Sequence, residues 1–254
     1  MRVSPAARRL FEQYRDVHAD AYVQWLCTVV GGWLSPTDGN LRAFDYAMRH
    51  MPSEGSIVEI GAFLGLSTNL LTYLAVKHHR DNPFFTCDPW TFEGTERPIG
   101  NVFDASRPAY RHYAREVFKL NTALFSEPRM PSAIDATSER FFELWRNRAT
   151  VTDVFGRPAT LGGPISFAYL DGAHEAEAAR RDFAAVDPHV GPGGLILFDD
   201  SADNGTFPEV TRLAAEVARH PAYELVFNTP NYFVRKRGQT AASVSMHQPA
   251  GRAP

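Results

Sequence analysis

The sequence predicts an α/β protein built on a mostly parallel sheet, and three observations carry that prediction. Apolar runs of strand length alternate with longer stretches of helical spacing. Glycine- and proline-containing turns separate them. The strand-like runs also end in acids: Phe84-Phe85-Thr86-Cys87-Asp88, Ile165 to Leu170 then Asp171, and Leu195-Ile196-Leu197-Phe198-Asp199-Asp200. In open α/β sheets, ligands bind beyond the carboxyl ends of the strands. The acids therefore fall on one functional edge.

The chain has 254 residues, 44 % of them hydrophobic and 12 % aromatic, which is enough for a sizeable core in one domain or two small ones. Its formal net charge of −3 leaves no basic footprint for nucleic acid. Short basic clusters such as Arg8-Arg9, Arg180-Arg181 and Arg235-Lys236-Arg237 are scattered and read as solvated faces. Two cysteines, Cys27 and Cys87, exclude a disulfide framework, and no CxxC pair is present. No apolar run reaches the length of a membrane span, and Met1 to Arg9 has no secretory pattern, so the expected location is cytoplasmic.

Taken in order, residues 1–50 read as a helical extension, suited to packing on the sheet, acting as a lid or mediating dimerisation. Leu10, Phe11, Tyr14 and Val17 keep helical spacing, as do Tyr22, Trp25, Leu26 and Val29. Gly31-Gly32 breaks the pattern, and Ser35-Pro36-Thr37-Asp38 opens a further helix carrying Leu41, Phe44 and Met48. The stretch Ser56 to Thr68 is the organising one: a short buried strand, then Gly61 and Gly65, then Ser67 and Thr68 ahead of a helix over about 66–79. Gly61 permits a sharp turn or close approach to a ligand. Ser67 or Thr68 is expected to cap the helix. Glu59 near the end of that strand repels a diphosphate but suits ribose hydroxyls or a cationic ligand.

Asp88 ends the second strand about 30 residues on, near the place where α/β nucleotide-binding folds grip ribose. Trp90 beside it is expected either to stack on an adenine or to cover the sheet edge. From 91 to 163 the pattern loosens into an expected insertion. It holds a helix through Tyr110, Tyr113, Val117 and Leu120, a weak strand at Thr122–Phe125 and a helix from Thr137 bearing Phe141, Phe142, Leu144 and Trp145. A small hairpin over Val151–Leu161 closes it. Order returns with the strand 165–171, a helix, the turn Gly191-Pro192-Gly193-Gly194, the strand 195–198 and another helix. Two β runs, 223–228 and 232–237, form an expected antiparallel pair, and 238–254 reads as a disordered tail.

Val58-Glu59-Ile60-Gly61-Ala62-Phe63-Leu64-Gly65-Leu66-Ser67-Thr68 resembles the first motif of class I S-adenosylmethionine-dependent methyltransferases. Leu170-Asp171-Gly172-Ala173-His174 and Pro192-Gly193-Gly194 through Asp199-Asp200 resemble the fourth and fifth strands of the catechol O-methyltransferase-like branch. They look still more like the bacterial macrocin and sugar O-methyltransferase group. The resemblance spans about 52–237 and implies a Rossmann-like sandwich, with a mostly parallel seven-stranded sheet and an antiparallel C-terminal strand. It implies S-adenosylmethionine contacts at Glu59, Gly61, Ala62, Gly65, Ser67, Thr68 and Asp88. It further implies a divalent cation such as Mg²⁺ on Asp171, Asp199 and Asp200. Three converging carboxylates repel one another, and a hard cation relieves this. His174, three residues past Asp171, titrates near neutrality and suits a general base, with Asp171 beside it.

These readings converge on methyl transfer to a hydroxyl of a small sugar or natural product. A cofactor-binding module without catalysis is the non-enzymatic alternative, disfavoured by the retained aspartates. An NAD-dependent oxidoreductase is disfavoured because Gly-x-Gly-x-x-Gly is absent.

Overall fold

The computed structural model describes residues 15–34, 38–91, 107–172 and 175–238. Several expectations lie outside them: the helical spacing at Leu10, Phe11 and Tyr14, the residues Ser35–Thr37, Ala173 and His174, and the tail beyond Gly238.

Three helices come first: α1 (Arg15–Ala19), α2 (Ala21–Val29) and α3 (Gly39–His50). The acids before α2 and α3 start them, because a short side-chain carboxylate satisfies amides that lack a helical partner. Asp20 accepts from the amides of Tyr22 (2.9 Å) and Val23 (3.2 Å), and Asp38 from that of Asn40 (2.8 Å). Then follow β1 (Ser56–Ile60), α4 (Leu66–Lys77), β2 (Phe84–Cys87), α5 (Arg107–Phe125), β3 (Ser132–Ile134) and α6 (Ser138–Arg146). The hairpin β4 (Thr150–Thr152) and β5 (Pro158–Thr160) leads to β6 (Ile165–Leu170), α7 (Ala176–Val186), β7 (Val190–Phe198), α8 (Pro208–Arg219), β8 (Tyr223–Asn228) and β9 (Tyr232–Lys236).

Seven strands form one sheet in the order β3-β2-β1-β6-β7-β9-β8. β3, β2, β1, β6 and β7 are parallel, while β9 runs antiparallel to both of its neighbours, as expected for the C-terminal strand. Alternation along the strands divides the core into two layers, because successive side chains leave opposite faces. Val58, Ile60, Phe85, Ala168, Leu170, Ile196 and Phe198 meet Phe141, Phe142 and Trp145 of α6 and the apolar faces of α7 and α8. Ile57, Phe167, Tyr169, Leu195, Leu197 and Phe233 meet Leu26, Leu41, Phe44, Leu70 and Leu74 from α2, α3 and α4. The N-terminal helices thus pack on the sheet. No helix among the described residues is long and apolar enough to cross a membrane.

Three expectations are corrected. Thr122–Phe125 is the last turn of α5, not a strand; Ala114, Phe118 and Thr122 recur at helical spacing and are fully buried. The strand lies instead at Ser132–Ile134, which pairs with β2. The stretch 91–163 is therefore not all insertion. It supplies the edge strand, and Ala159 and Leu161 of the hairpin region are buried in the layer against α6. Lastly, Ser67 and Thr68 do not cap α4. Gly65 stands at the cap with φ +92° and no side-chain bond, a backbone conformation that glycine adopts without strain.

Candidate active site

The parallel strands hand over to their loops in register. Beyond each strand the next amide still donates to a neighbouring strand: Gly61 to the Cys87 carbonyl (3.0 Å), Asp88 to Ile134 (3.2 Å), Asp171 to Ile60 (2.9 Å) and Asp199 to Leu170 (2.9 Å). Asp88, Asp171, Asp199 and Asp200 consequently stand along one edge. Gly61 sits where two of these ends touch. Its φ is +86°, and a Cβ there would lie 1.9 Å from the carbonyl oxygen of Asp171.

The turn between β1 and α4 is fastened by side chains from elsewhere. Oδ2 of Asp88 accepts from the amides of Ala62 (2.9 Å) and Phe63 (2.8 Å), and Oδ1 from that of Trp90 (2.5 Å). Burial raises the Asp88 carboxyl above the usual range, and these three amides oppose the rise. Trp90 Nε1 donates to the Phe63 carbonyl (2.8 Å), Asn121 to Leu64 (2.8 Å) and Asn69 to Gly65 (2.7 Å). Ser126 in turn holds Asn69 (2.6 Å). Three successive carbonyls of the turn are thus engaged.

Glu59 lies beneath this turn, fully buried. Its Oε2 accepts from Thr68 Oγ1 at 2.6 Å, tying β1 to the first turn of α4, while Oε1 makes no hydrogen bond. Burial pushes its pKa up to about 7, against the pull of the Ser67, Thr68 and Thr86 hydroxyls. Ser67 and Thr68 are buried with it. Trp90 is only 1 % exposed and packs on Phe118 at 5.1 Å between ring centroids. Of the two roles expected for Trp90, covering the edge fits this placement.

The acidic half of the site is different in kind. Carboxylate oxygens of Asp171, Asp199 and Asp200 lie within 4.8 Å of one another, and all three residues are half-buried. Burial raises the Asp171 carboxyl well above the usual carboxylate range, and the neighbouring charges of Asp199 and Asp200 add to this. Asp200 has a positive φ of 51°, which a short polar side chain tolerates better than most. Three residues overlooked in the sequence converge on Asp199. Tyr169 donates its hydroxyl to Oδ2 (2.6 Å), and the amides of Asn40 and Asn231 donate to Oδ1 (2.6 and 2.7 Å). The Tyr169 hydroxyl also lies 3.2 Å from Asp171. His174 is outside the described residues.

The sequence from 58 to 201 matches the family model described as a methyltransferase domain, and the chain belongs to that family. It is a methyltransferase. CalS11, a TDP-rhamnose 3'-O-methyltransferase of calicheamicin biosynthesis, shares the fold with a TM-score of 0.51 at 14 % identity, over 92 % of this chain and 96 % of that one. An O-methyltransferase from Bacillus cereus, solved with SAH, gives 0.47 at 13 % identity over 89 % of each chain. The O-methyltransferase NovP gives 0.49 at 15 % identity over 78 % of this chain and 80 % of that one.

Proposed function

We propose that the chain transfers a methyl group from S-adenosylmethionine to a hydroxyl oxygen of a small molecule, a sugar or natural-product scaffold. The single observation that carries this reading is the abutment at Gly61. The turn expected to hold the cofactor there touches the strand end that presents the acids, with no room for a Cβ. A methyl donor on one side and an acceptor held over Asp171, Asp199 and Asp200 on the other would meet within one cleft.

The backbone of Gly61 to Gly65 would line the cofactor's place. Asp88 would act there both by fixing the amides of Ala62 and Phe63 and by accepting from ribose through its one remaining lone pair, on Oδ1. Glu59, being buried, would act through the turn that it supports. In the transfer the acceptor oxygen attacks the methyl carbon, the carbon–sulfur bond breaks to leave S-adenosylhomocysteine (SAH), and the hydroxyl proton passes to a base. His174 is the residue proposed for that proton.

Asp171, Asp199 and Asp200 suit a divalent cation, since they offer hard oxygen donors, and burial together with their mutual repulsion disfavours the charged form of Asp171. A bound Mg²⁺ would supply Lewis acidity that lowers the pKa of an acceptor hydroxyl. The proposal further takes the acceptor to be a small molecule rather than nucleic acid or membrane, and the enzyme to act in the cytoplasm. Incubation with methyl-labelled S-adenosylmethionine and a panel of hydroxylated sugars and phenols tests it. Label in an ether-linked methyl product is the expected result, and SAH release with no acceptor-dependent product would contradict it.

A further inference from the structure

We infer that Asn40 and Asn231 are positioning residues for the acidic site, locking Asp199 from two distant parts of the chain. The inference rests on the cation reading of Asp171, Asp199 and Asp200 given above. Asn40 lies in the first turn of α3 and Asn231 in the turn between β8 and β9, and neither falls within the family match over 58–201. Both are buried, at 2 % and 6 % exposure.

Their amides meet on one oxygen. Asn40 Nδ2 stands 2.6 Å and Asn231 Nδ2 2.7 Å from Asp199 Oδ1, and Asn231 Nδ2 also reaches Asn40 Oδ1 at 3.0 Å. This network fixes which end of each amide faces the acid, since a reversed Asn231 would set oxygen against carboxylate. Asn231 Oδ1 is left buried without a partner, so the side chain is committed through its nitrogen. The backbone enforces the arrangement: a Cβ on Gly39 would lie 2.0 Å from Pro230 and 2.5 Å from the Thr229 carbonyl. The start of α3 therefore lies flush on the turn that carries Asn231.

With Tyr169 on Oδ2, Asp199 accepts three hydrogen bonds. An ionised carboxylate has about four lone-pair sites. One direction is left for a cation, and the two asparagines set it. Residues that orient a metal-binding side chain in this way change metal affinity by about 10–100-fold when lost. The N-terminal helices are in this sense part of the active site.

Asn40→Asp and Asn231→Asp test this, because each keeps the side-chain shape but turns a donor into a like charge. Mn²⁺ binding is read by electron paramagnetic resonance, with melting temperature and SAH affinity measured on the same samples. We expect the wild-type chain to bind one Mn²⁺, both variants to bind it at least about tenfold more weakly, and SAH affinity to be unchanged. Asn40→Gln and Asn231→Gln, which keep the donor, should recover part of the loss. Should the wild type bind Mn²⁺ and both aspartate variants bind it equally well, the positioning role is overturned while the cation reading stands. A parallel fall in melting temperature, SAH affinity and Mn²⁺ affinity would also overturn it, in favour of a structural role. If the wild type fails to bind Mn²⁺, the cation reading itself falls and this inference with it.

Discussion

The two halves of the edge, the turn after β1 and the acids after β6 and β7, are built on opposite principles. Around the turn, the polar groups are spent on each other. Asp88 accepts three amides, Trp90, Asn121 and Asn69 take three carbonyls, and Glu59 takes a hydroxyl from α4. The result is a rigid surface that needs no ligand to keep its shape. Across Gly61, the carboxylates of Asp171, Asp199 and Asp200 converge, and Asp199 accepts from Tyr169, Asn40 and Asn231. A preformed half beside a half of converging like charges would suit the proposed reaction, with one constant and one variable substrate. On the proposed reading the turn would be a cofactor cradle fixed in advance, and the acidic half would be completed by what binds there.

That contrast can be broken from the acidic side first, where the largest effect is expected. Asp200→Asn or Asp171→Asn removes a charge that the cation reading requires. Turnover with the acceptor should fall at least about 10²-fold, with SAH affinity nearly unchanged; equal loss of both would mean that the halves are not separate. Next comes His174→Ala, which should lower kcat by about 10²–10⁴-fold and remove the rise of rate with pH through the histidine's titration. A near-normal kcat would leave proton removal to another group.

Gly61→Ala strikes the seam itself. A Cβ at 1.9 Å from the Asp171 carbonyl, on a residue with φ +86°, forces the two strand ends apart. Unfolding free energy should drop by about 2–4 kcal/mol, and denaturant titration would show it. Here both halves should weaken together, unlike the single-sided variants.

Glu59 sharpens the other side. Its folded pKa of about 7 lies above the ordinary glutamate value of 4.5, so the folded state holds a proton that the unfolded chain has released between those values. Stability from this group is complete below pH 4.5 and is lost as pH rises through about 7. A shift of that size corresponds to roughly 3 kcal/mol. Urea unfolding at pH 5 and pH 8 should therefore differ less in Glu59→Gln than in the wild type. The same pH dependence in both proteins would show that Glu59 is ionised throughout.

The acid-tipped strands were legible because a buried run ending in a carboxylate is a local pattern. The positions of Asp88, Asp171, Asp199 and Asp200 on one edge followed from the α/β alternation alone. What fastens them was not legible, because it arrives from far along the chain. Asn40, Asn121 and Asn231 have no local signature, and their meaning appears only when α3, α5 and the turn before β9 reach the edge. For Trp90 the sequence left two roles open, and its contact with Phe118 of α5 is again one that only the fold brings to it. β3 was hard to locate because it has only three residues, while the neighbouring Thr122–Phe125 looks strand-like in isolation. Its helical period emerges only when read together with Ala114 and Phe118.

The most direct test of the account is a calorimetric titration of SAH into the wild-type chain and into Asp88→Ala, each with and without Mg²⁺. A preformed cradle predicts one SAH per wild-type chain whether or not Mg²⁺ is present. In Asp88→Ala, the lost charge-assisted hydrogen bonds, worth roughly 1.5–3 kcal/mol, should weaken binding at least tenfold. No binding of SAH by the folded wild-type chain, or undiminished binding by Asp88→Ala, would contradict it.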